Sequence, residues 1–269
     1  MYGVLVLVFL SGPLLVIIPM SFSSAGGLQF PPPGWSLQWY EALFSSPAWG
    51  SAIKTSLLVG LTSSLLALVL GALAGYGLAR GTFRGRGALL AVFLAPMIVP
   101  PIVTAVGMYL TFTQVGLQGT FVGIAAGHVV ILVPYVVLLM AVAFQALDRR
   151  LELMARSLGA SWTTAFRLVL LPLLAPSIAV SWLIALVTSF DEVIVTIFIG
   201  GTTDTVPTLM FNQLRDRIDP TVTALSTLLV LVTVLVLAAA ALLLRLGRAR
   251  GTEALGEVLT DTTHRGDTP

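Results

Sequence analysis

Cysteine is absent from the chain, and histidine occurs only at His128 and His264. The first absence excludes disulfide frameworks, thiol catalysis and cysteine-ligated metals. Two histidines so far apart cannot form a metalloprotease motif such as HExxH. No metal-ligand cluster is visible. The phosphate-cradling pattern GxxxxGK[ST] is missing, so this chain does not hydrolyse ATP by that machinery. Charge is scarce: 10% of residues are Asp, Glu, Lys or Arg, against about a quarter in a soluble domain. The net charge of +2 and pI near 9.3 come from arginines in loops and do not describe a nucleic-acid surface. No short-period repeat is present.

What fills the chain is apolar. Of 269 residues, 57% are hydrophobic, and the mean hydropathy is +0.99. Six apolar runs stand out: Gly3 to Met20, Leu57 to Ala79, Ala88 to Phe112, Phe121 to Phe144, Ala175 to Ile199 and Val222 to Leu244. Each is close to the ~20 residues that cross a ~30 Å hydrocarbon layer. Without water to satisfy the backbone, such runs must be helices. The expected fold is an all-α integral membrane protein with six transmembrane helices. Residues 1–250 form the membrane domain, and the polar tail 251–269 is expected to be disordered.

The arginines give the orientation. Arg80, Arg84 and Arg86 follow the second run, Arg149, Arg150, Arg156 and Arg167 lie between the fourth and fifth, and Arg245, Arg248 and Arg250 follow the sixth. These loops share one face, which positive residues assign to the cytoplasm. The opposite face carries only Lys54, Arg215 and Arg217. Both termini are therefore expected inside. Ser23-Ser24-Ala25-Gly26 resembles a signal-peptide cleavage site, but no positive segment precedes the first run, so that helix is expected to be retained. The missing basic flank also suggests that the natural start lies upstream of Met1. The external segment from Ser21 to Ser51, with Trp35, Trp39, Tyr40 and Trp49, suits the membrane interface better than a ligand box. Gly200 to Pro220, with Asp204, Asp216 and Asp219, is expected to be a second external loop.

One segment is neither span nor simple loop. Leu151 to Pro172 reads LELMARSLGASWTTAFRLVLLP. Leu158, Ala165 and Phe166 are expected to share one apolar face beside Arg156 and Arg167. Such a helix is too short and polar to cross the membrane; it lies in the interface or buries its face in a partner. Gly159 suits a turn after a first short helix, and Pro172 suits the start of the next span. Glycine, ten steps to Val169, then Leu171-Pro172 resembles the EAA loop of bacterial ABC importer permeases. The resemblance implies a cytoplasmic coupling helix between the fourth and fifth spans that docks on a separate ATPase. The family's Glu-Ala-Ala falls on Leu153, Met154 and Ala155, where only Ala155 agrees. Glu152 lies one position earlier and either replaces the family's glutamate after a small rotation or leaves a mostly apolar contact. Glu152, Ala155, Gly159, Val169, Leu171 and Pro172 are the coupling residues the resemblance implies.

The similarity extends along most of the chain. Ser36-Leu37-Gln38-Trp39-Tyr40, Tyr76-Gly77-Leu78-Ala79-Arg80, Ser189-Phe190-Asp191-Glu192 and Asp219-Pro220-Thr221 resemble spermidine/putrescine-type permeases. That branch implies a cation path at Asp191, with Ser189 beside it. Asp191 lies sixteen steps beyond Ala175, or ~24 Å of helix, in the outer half of the membrane. Ionised groups there face a cavity or a partner. On a continuous helix Asp191 and Glu192 point about 100° apart, so one lines the path while the other pairs elsewhere; the alternative is a buried structural pair satisfied by Lys54 or a partner permease. Pro96, Pro100 and Pro101 argue for a broken third helix lining a cavity, although helix packing explains them equally well. Pro101 replaces an acid common in polyamine permeases and removes one counter-charge. His128 suits packing or hydrogen bonding better than proton relay.

The resemblance thus implies a multi-pass permease of the bacterial inner membrane that moves a polyamine or other organic cation by alternating access. Its implied partners are a second permease, expected to be a paralogue, ABC ATPase subunits that bind ATP and Mg²⁺, an external solute-binding protein and the lipid bilayer. No cofactor in this chain and no nucleic acid is expected. A non-polyamine cargo is the alternative within the family; a stand-alone channel or scaffold protein fits the composition but does not explain a docking helix.

Overall fold

The computed structural model describes residues 2–216 and 219–235. These fall into two compact units, Ser46–Asp216 and one that includes Met1–Ser45. The described residues are mainly helical, and their single β-bridge joins Ser23 to Trp35. The tail 251–269 and the arginines Arg245, Arg248 and Arg250 lie outside the described residues.

In the unit with the N-terminal segment, α1 spans Tyr2–Ser21 and α2 spans Gln38–Ser45. The chain between them is tied down by local bonds. Trp39 Nε1 donates to the Ser23 carbonyl at 2.8 Å, and the Ser21 and Tyr40 hydroxyls pair at 2.8 Å. A helix over Thr221–Leu235 (α12) covers the described part of the sixth apolar run.

The larger unit contains α3 (Pro47–Arg80), α4 (Arg86–Ile98), α5 (Pro101–Gln114), α6 (Phe121–Ala146), α7 (Arg149–Ser157), α8 (Trp162–Ala165), a π-helical turn (Phe166–Leu170), α9 (Leu171–Phe190), α10 (Ile194–Ile199) and α11 (Val206–Asp216). Among the described residues, three helices are long and apolar enough to cross a membrane: Pro47–Arg80, Phe121–Ala146 and Trp162–Phe190. The α4–α5 pair makes a fourth if its 101° bend belongs to one span.

Local chemistry explains these boundaries. The second span begins ten residues before the expected Leu57, because Ser46 caps the helix through Trp49 N and Pro47 occupies its first turn, where proline's missing N–H does no harm. The third run bends because Val99 and Pro100 each precede a proline. That placement excludes the helical region, and both residues are extended, with ψ of 134° and 132°. The fifth run does not extend from Ala175 to Ile199 as one helix: it starts at Trp162 and stops at Phe190. The expected loop Gly200 to Pro220 contains α11. Its amphipathic pattern was hidden by the turn-forming residues on either side.

α3 and α6 form the centre of the unit. Gly71 and Gly75 let their backbones meet: a Cβ on Gly71 would come within 2.6 Å of Val136, and one on Gly75 within 3.0 Å of Met140. Small residues at four-residue spacing serve this purpose in membrane helices, where lipid gives no hydrophobic drive for association. Ala67, Leu132, Val136, Met140, Phe144, Leu170, Leu174 and Ala185 form one buried cluster. Val59, Ala105, Met108, Ile124, Val195 and Ile199 form a second. Two interhelical bonds supplement the packing, from Ser63 Oγ to the Ala125 carbonyl at 3.1 Å and from Trp182 Nε1 to Ser64 Oγ at 3.0 Å.

Candidate functional site

Two regions of the larger unit hold the residues singled out above. The first is the break after α9. Phe190 ends the helix, Asp191 caps it with backbone bonds to Val187 and Ser189, and α10 starts at Ile194. Glu192 folds back so that its Oε1 accepts from Val195 N at 2.9 Å. A carboxylate at a helix N-terminus satisfies free N–H groups and the positive end of the dipole. Because the helix ends, the expected 100° divergence of two helical neighbours does not apply. The two acids separate by role instead: Glu192 is half-buried and engaged, whereas Asp191 is exposed and its carboxylate meets no hydrogen-bond partner among the described residues. Asp191 sits at the negative end of α9, where an anion is disfavoured and a cation favoured.

Ser189 does not line an open path in this structure. It is buried, with 4% of its surface exposed, and pairs with His128 Nδ1 at 2.8 Å. His128 Nε2 pairs with Thr196 Oγ1 at 2.9 Å. The histidine thus bonds one partner before the break and one after it, which agrees with the hydrogen-bonding role read from the sequence. A neutral imidazole has one N–H, so one of the two hydroxyls must donate to the ring. His128 lies seven residues into α6 from Phe121, about 10 Å along the axis. Pro100 and Pro101 are exposed at the α4–α5 bend.

The second region is the segment from Arg149 to Leu170. Asp148 caps α7 through Arg150 N at 2.8 Å. The helix closes with Gly159 N bonded to the Arg156 carbonyl at 3.0 Å and Ala160 N to the Ala155 carbonyl at 3.1 Å. This paired closure requires a left-handed residue, and Gly159 has φ +89°. Ser161 then caps α8 through Thr164 N.

The expected shared face of Leu158, Ala165 and Phe166 is not formed. The glycine turn separates them: Leu158 is 89% exposed while Ala165 is 1% exposed. The outward surface is instead Leu153, Met154 and Leu158, which with Arg150 and Ser157 line an open depression of about 410 Å³. Glu152 turns inward, where its Oε1 accepts from the Tyr76 hydroxyl at 3.1 Å. Trp162 Nε1 donates to the same hydroxyl at 3.3 Å. Arg80 Nη2 donates to the Leu147 carbonyl at the end of α6, at 3.0 Å. Tyr76 and Arg80 were seen in the sequence only as part of a motif. Their contacts, 76 and 67 residues distant, left no local signal.

Pro172 lies in the first turn of α9, as expected, but the span begins further upstream. The helix runs through it from Trp162 to Phe190, and the strain is relieved just before it. Leu171 N bonds to the Phe166 carbonyl, five residues back, closing the π-helical turn. The wider turn accommodates a ring that would otherwise clash with the carbonyl four residues earlier. Val169 is half-buried in that turn, and Leu171 is exposed.

Comparison with known proteins decides what kind of molecule this is. Residues 67–248 match the family described as the binding-protein-dependent transport system inner membrane component. The chain belongs to that family. It is an ABC importer permease subunit of the inner membrane. Among its relatives, the Haemophilus influenzae spermidine/putrescine transport system permease protein PotC is 30% identical over 224 residues, covering 82% of this chain and 86% of the relative. The Escherichia coli K12 putrescine transport system permease protein PotI is 30% identical over 230 residues, covering 82% of each. A solved bacterial ABC transporter for alginate import shares the fold, with a TM-score of 0.69 and 16% identity over 89% of this chain and 93% of that one. As a permease, the chain has two regions of interest: a helix break with one uncommitted acid, and a two-faced segment at the end of the unit that carries the arginines.

Proposed function

We propose that this permease passes a polyamine or another organic cation to the cytoplasm, and that Asp191 is its counter-charge. The observation that carries this reading is the division of labour at the α9 break. Glu192 is occupied by α10, while Asp191 is exposed at a helix C-terminus. Broken helices near cargo sites use unwound carbonyls and half-helix C-termini to hold cations, and acids within membrane segments mark ion paths. The spermidine and putrescine relatives support the same cargo class. Pro101, where polyamine permeases commonly carry an acid, supports a second reading: a cargo that needs less negative charge, and so not a polyamine.

The driving force enters at α7. The exposed face of Leu153, Met154 and Leu158 supports apolar docking on a separate ATPase that binds ATP and Mg²⁺, with Glu152 directed away from that contact. The arginine-rich end is then cytoplasmic, with both termini on that side. A second permease chain and an external solute-binding protein complete the importer. Closure of the ATPases moves α7 and α8, and the spans joined to them open the path outward.

The decisive experiment is identification by mass spectrometry of the ligand that copurifies with the cognate solute-binding protein. A diamine, polyamine or other organic cation is expected. A neutral or anionic ligand would overturn the cargo assignment and leave the permease fold untouched.

A further inference from the structure

We infer that Tyr76 is the positioning residue through which movement of the α7–α8 segment reaches α3. This inference rests on the docking of α7 proposed above. α7 and α8 are continuous in the chain with α6 on one side and α9 on the other, so a push on the segment reaches those two helices directly. α3 has no such covalent route, yet it packs along α6 and α9 at the centre of the unit. Besides that packing, its polar connection to the segment runs through one hydroxyl. Tyr76 donates to Glu152 on α7 at 3.1 Å and accepts from Trp162 on α8 at 3.3 Å.

The ring is held as firmly as the hydroxyl. It meets Phe144 of α6 edge-on with centroids 5.2 Å apart, and Trp162 at 6.1 Å. Trp162 in turn stacks on Phe166, the first residue of the π-helical turn, at 5.3 Å with planes 13° apart. Tyr76 thus has contacts to α6, α7 and α8, and through Trp162 to the turn that leads into α9. α7 is correspondingly two-faced: Glu152 points inward to Tyr76, while Leu153, Met154 and Leu158 are exposed on the outside. A partner pressing on the outer face loads the Glu152–Tyr76 bond directly. A hydrogen bond to a carboxylate is short-ranged and directional, so it transmits displacement where apolar contacts would slide. α3 is a continuous 34-residue helix, about 50 Å long. A shift imposed at Tyr76 therefore reaches its other end near Trp49.

The test uses the assembled importer in lipid vesicles and needs no knowledge of the cargo. The chain lacks cysteine, so one placed at exposed Ser51 in α3 is its sole thiol, and its modification rate is read on this chain by mass spectrometry, with and without ATP and vanadate. With Tyr76 intact, nucleotide should change that rate. Tyr76→Phe keeps the ring and removes both hydrogen bonds. It should shrink the response about tenfold, the scale of losing a hydrogen bond to a charged group, while ATPase association stays unchanged and the complex stays folded at the assay temperature. Glu152→Ala should match it, Tyr76→Phe with Glu152→Ala should be no worse than either, and Glu152→Gln, which keeps an acceptor, should retain most of the response. The inference is overturned if Tyr76→Phe responds normally, if its loss merely follows weaker assembly or stability, or if the two substitutions add. If the unsubstituted complex binds no ATPase or gives no response, the docking reading itself fails and this inference with it.

Discussion

At the scale of single residues, the chain separates groups that look alike in the sequence. Asp191 and Glu192 are neighbours, but the side chain of Glu192 caps α10 and that of Asp191 is left exposed. The sequence pointed to the pair and to a division between them. The resemblance favoured Asp191 for the path, but the partner that occupies Glu192 depends on where α9 stops. Asp191→Asn preserves size and removes charge, so uptake of the identified cation should fall by about tenfold, the effect of losing roughly 1.4 kcal/mol of attraction, with normal assembly. Glu192→Gln keeps an acceptor for Val195 N and should reduce uptake less. Normal transport by Asp191→Asn at matched expression would remove the acid from the path. Gly159 was legible as a turn residue, and its φ of +89° gives the reason. A β-branched residue there costs about 1–3 kcal/mol. Gly159→Val should therefore impair transport and ATPase copurification while leaving membrane insertion intact; full activity and full copurification would exclude the turn from coupling.

At the scale of elements, apolar run length located the helices but not their ends. Proline had opposite consequences in two places. Consecutive Pro100 and Pro101 bend α4 against α5 by 101°, because each imposes an extended residue before it. Pro172 leaves its helix unbroken, because the π-helical turn widens the backbone just upstream. Sequence spacing placed Pro172 at the start of a span, which agrees with its place in the first turn of α9; only the hydrogen-bond register of Phe166 to Leu171 shows that helix continues upstream of it. The α3–α6 contact is likewise invisible in a hydropathy profile, where Gly71 and Gly75 merely look permissive. Gly71→Leu would put its Cβ only 2.6 Å from Val136. Overpacking of this kind costs about 1–3 kcal/mol, so the detergent-solubilised permease should unfold at a lower temperature. Gly77→Leu is the control, since a Cβ there meets nothing within 4 Å. Equal stability of the two variants would mean that the helices separate without penalty.

At the scale of the whole molecule, charge distribution is the main guide to orientation. Arg80, its acceptor at Leu147 and the capped α7 lie together at one end of the larger unit. At the other end, Gly119 N bonds to the Ile199 carbonyl at 2.7 Å. If the arginine end is cytoplasmic, exposed Thr163 and exposed Thr202 face opposite compartments. In intact cells an impermeant thiol reagent should label Thr202→Cys and spare Thr163→Cys. The reverse pattern would invert the topology and with it the assignment of the docking face.

The sequence by itself determined that this is an all-α membrane protein of the importer permease type. Composition, run length and the spacing of Gly159, Val169, Leu171 and Pro172 are local or periodic properties that survive without coordinates. It also selected Asp191, because an ionisable residue inside an apolar run is conspicuous whatever surrounds it. Only the tertiary structure decided what each group does with its neighbours. Ser189 is committed to His128, 61 residues away, Glu192 to the start of α10, and Glu152 to Tyr76, while the outer face of α7 is left apolar. Those outcomes turn on hydrogen bonds of about 3 Å between residues far apart in the chain. No pattern of hydropathy or spacing encodes them, because they exist only once α3, α6 and α9 have packed together.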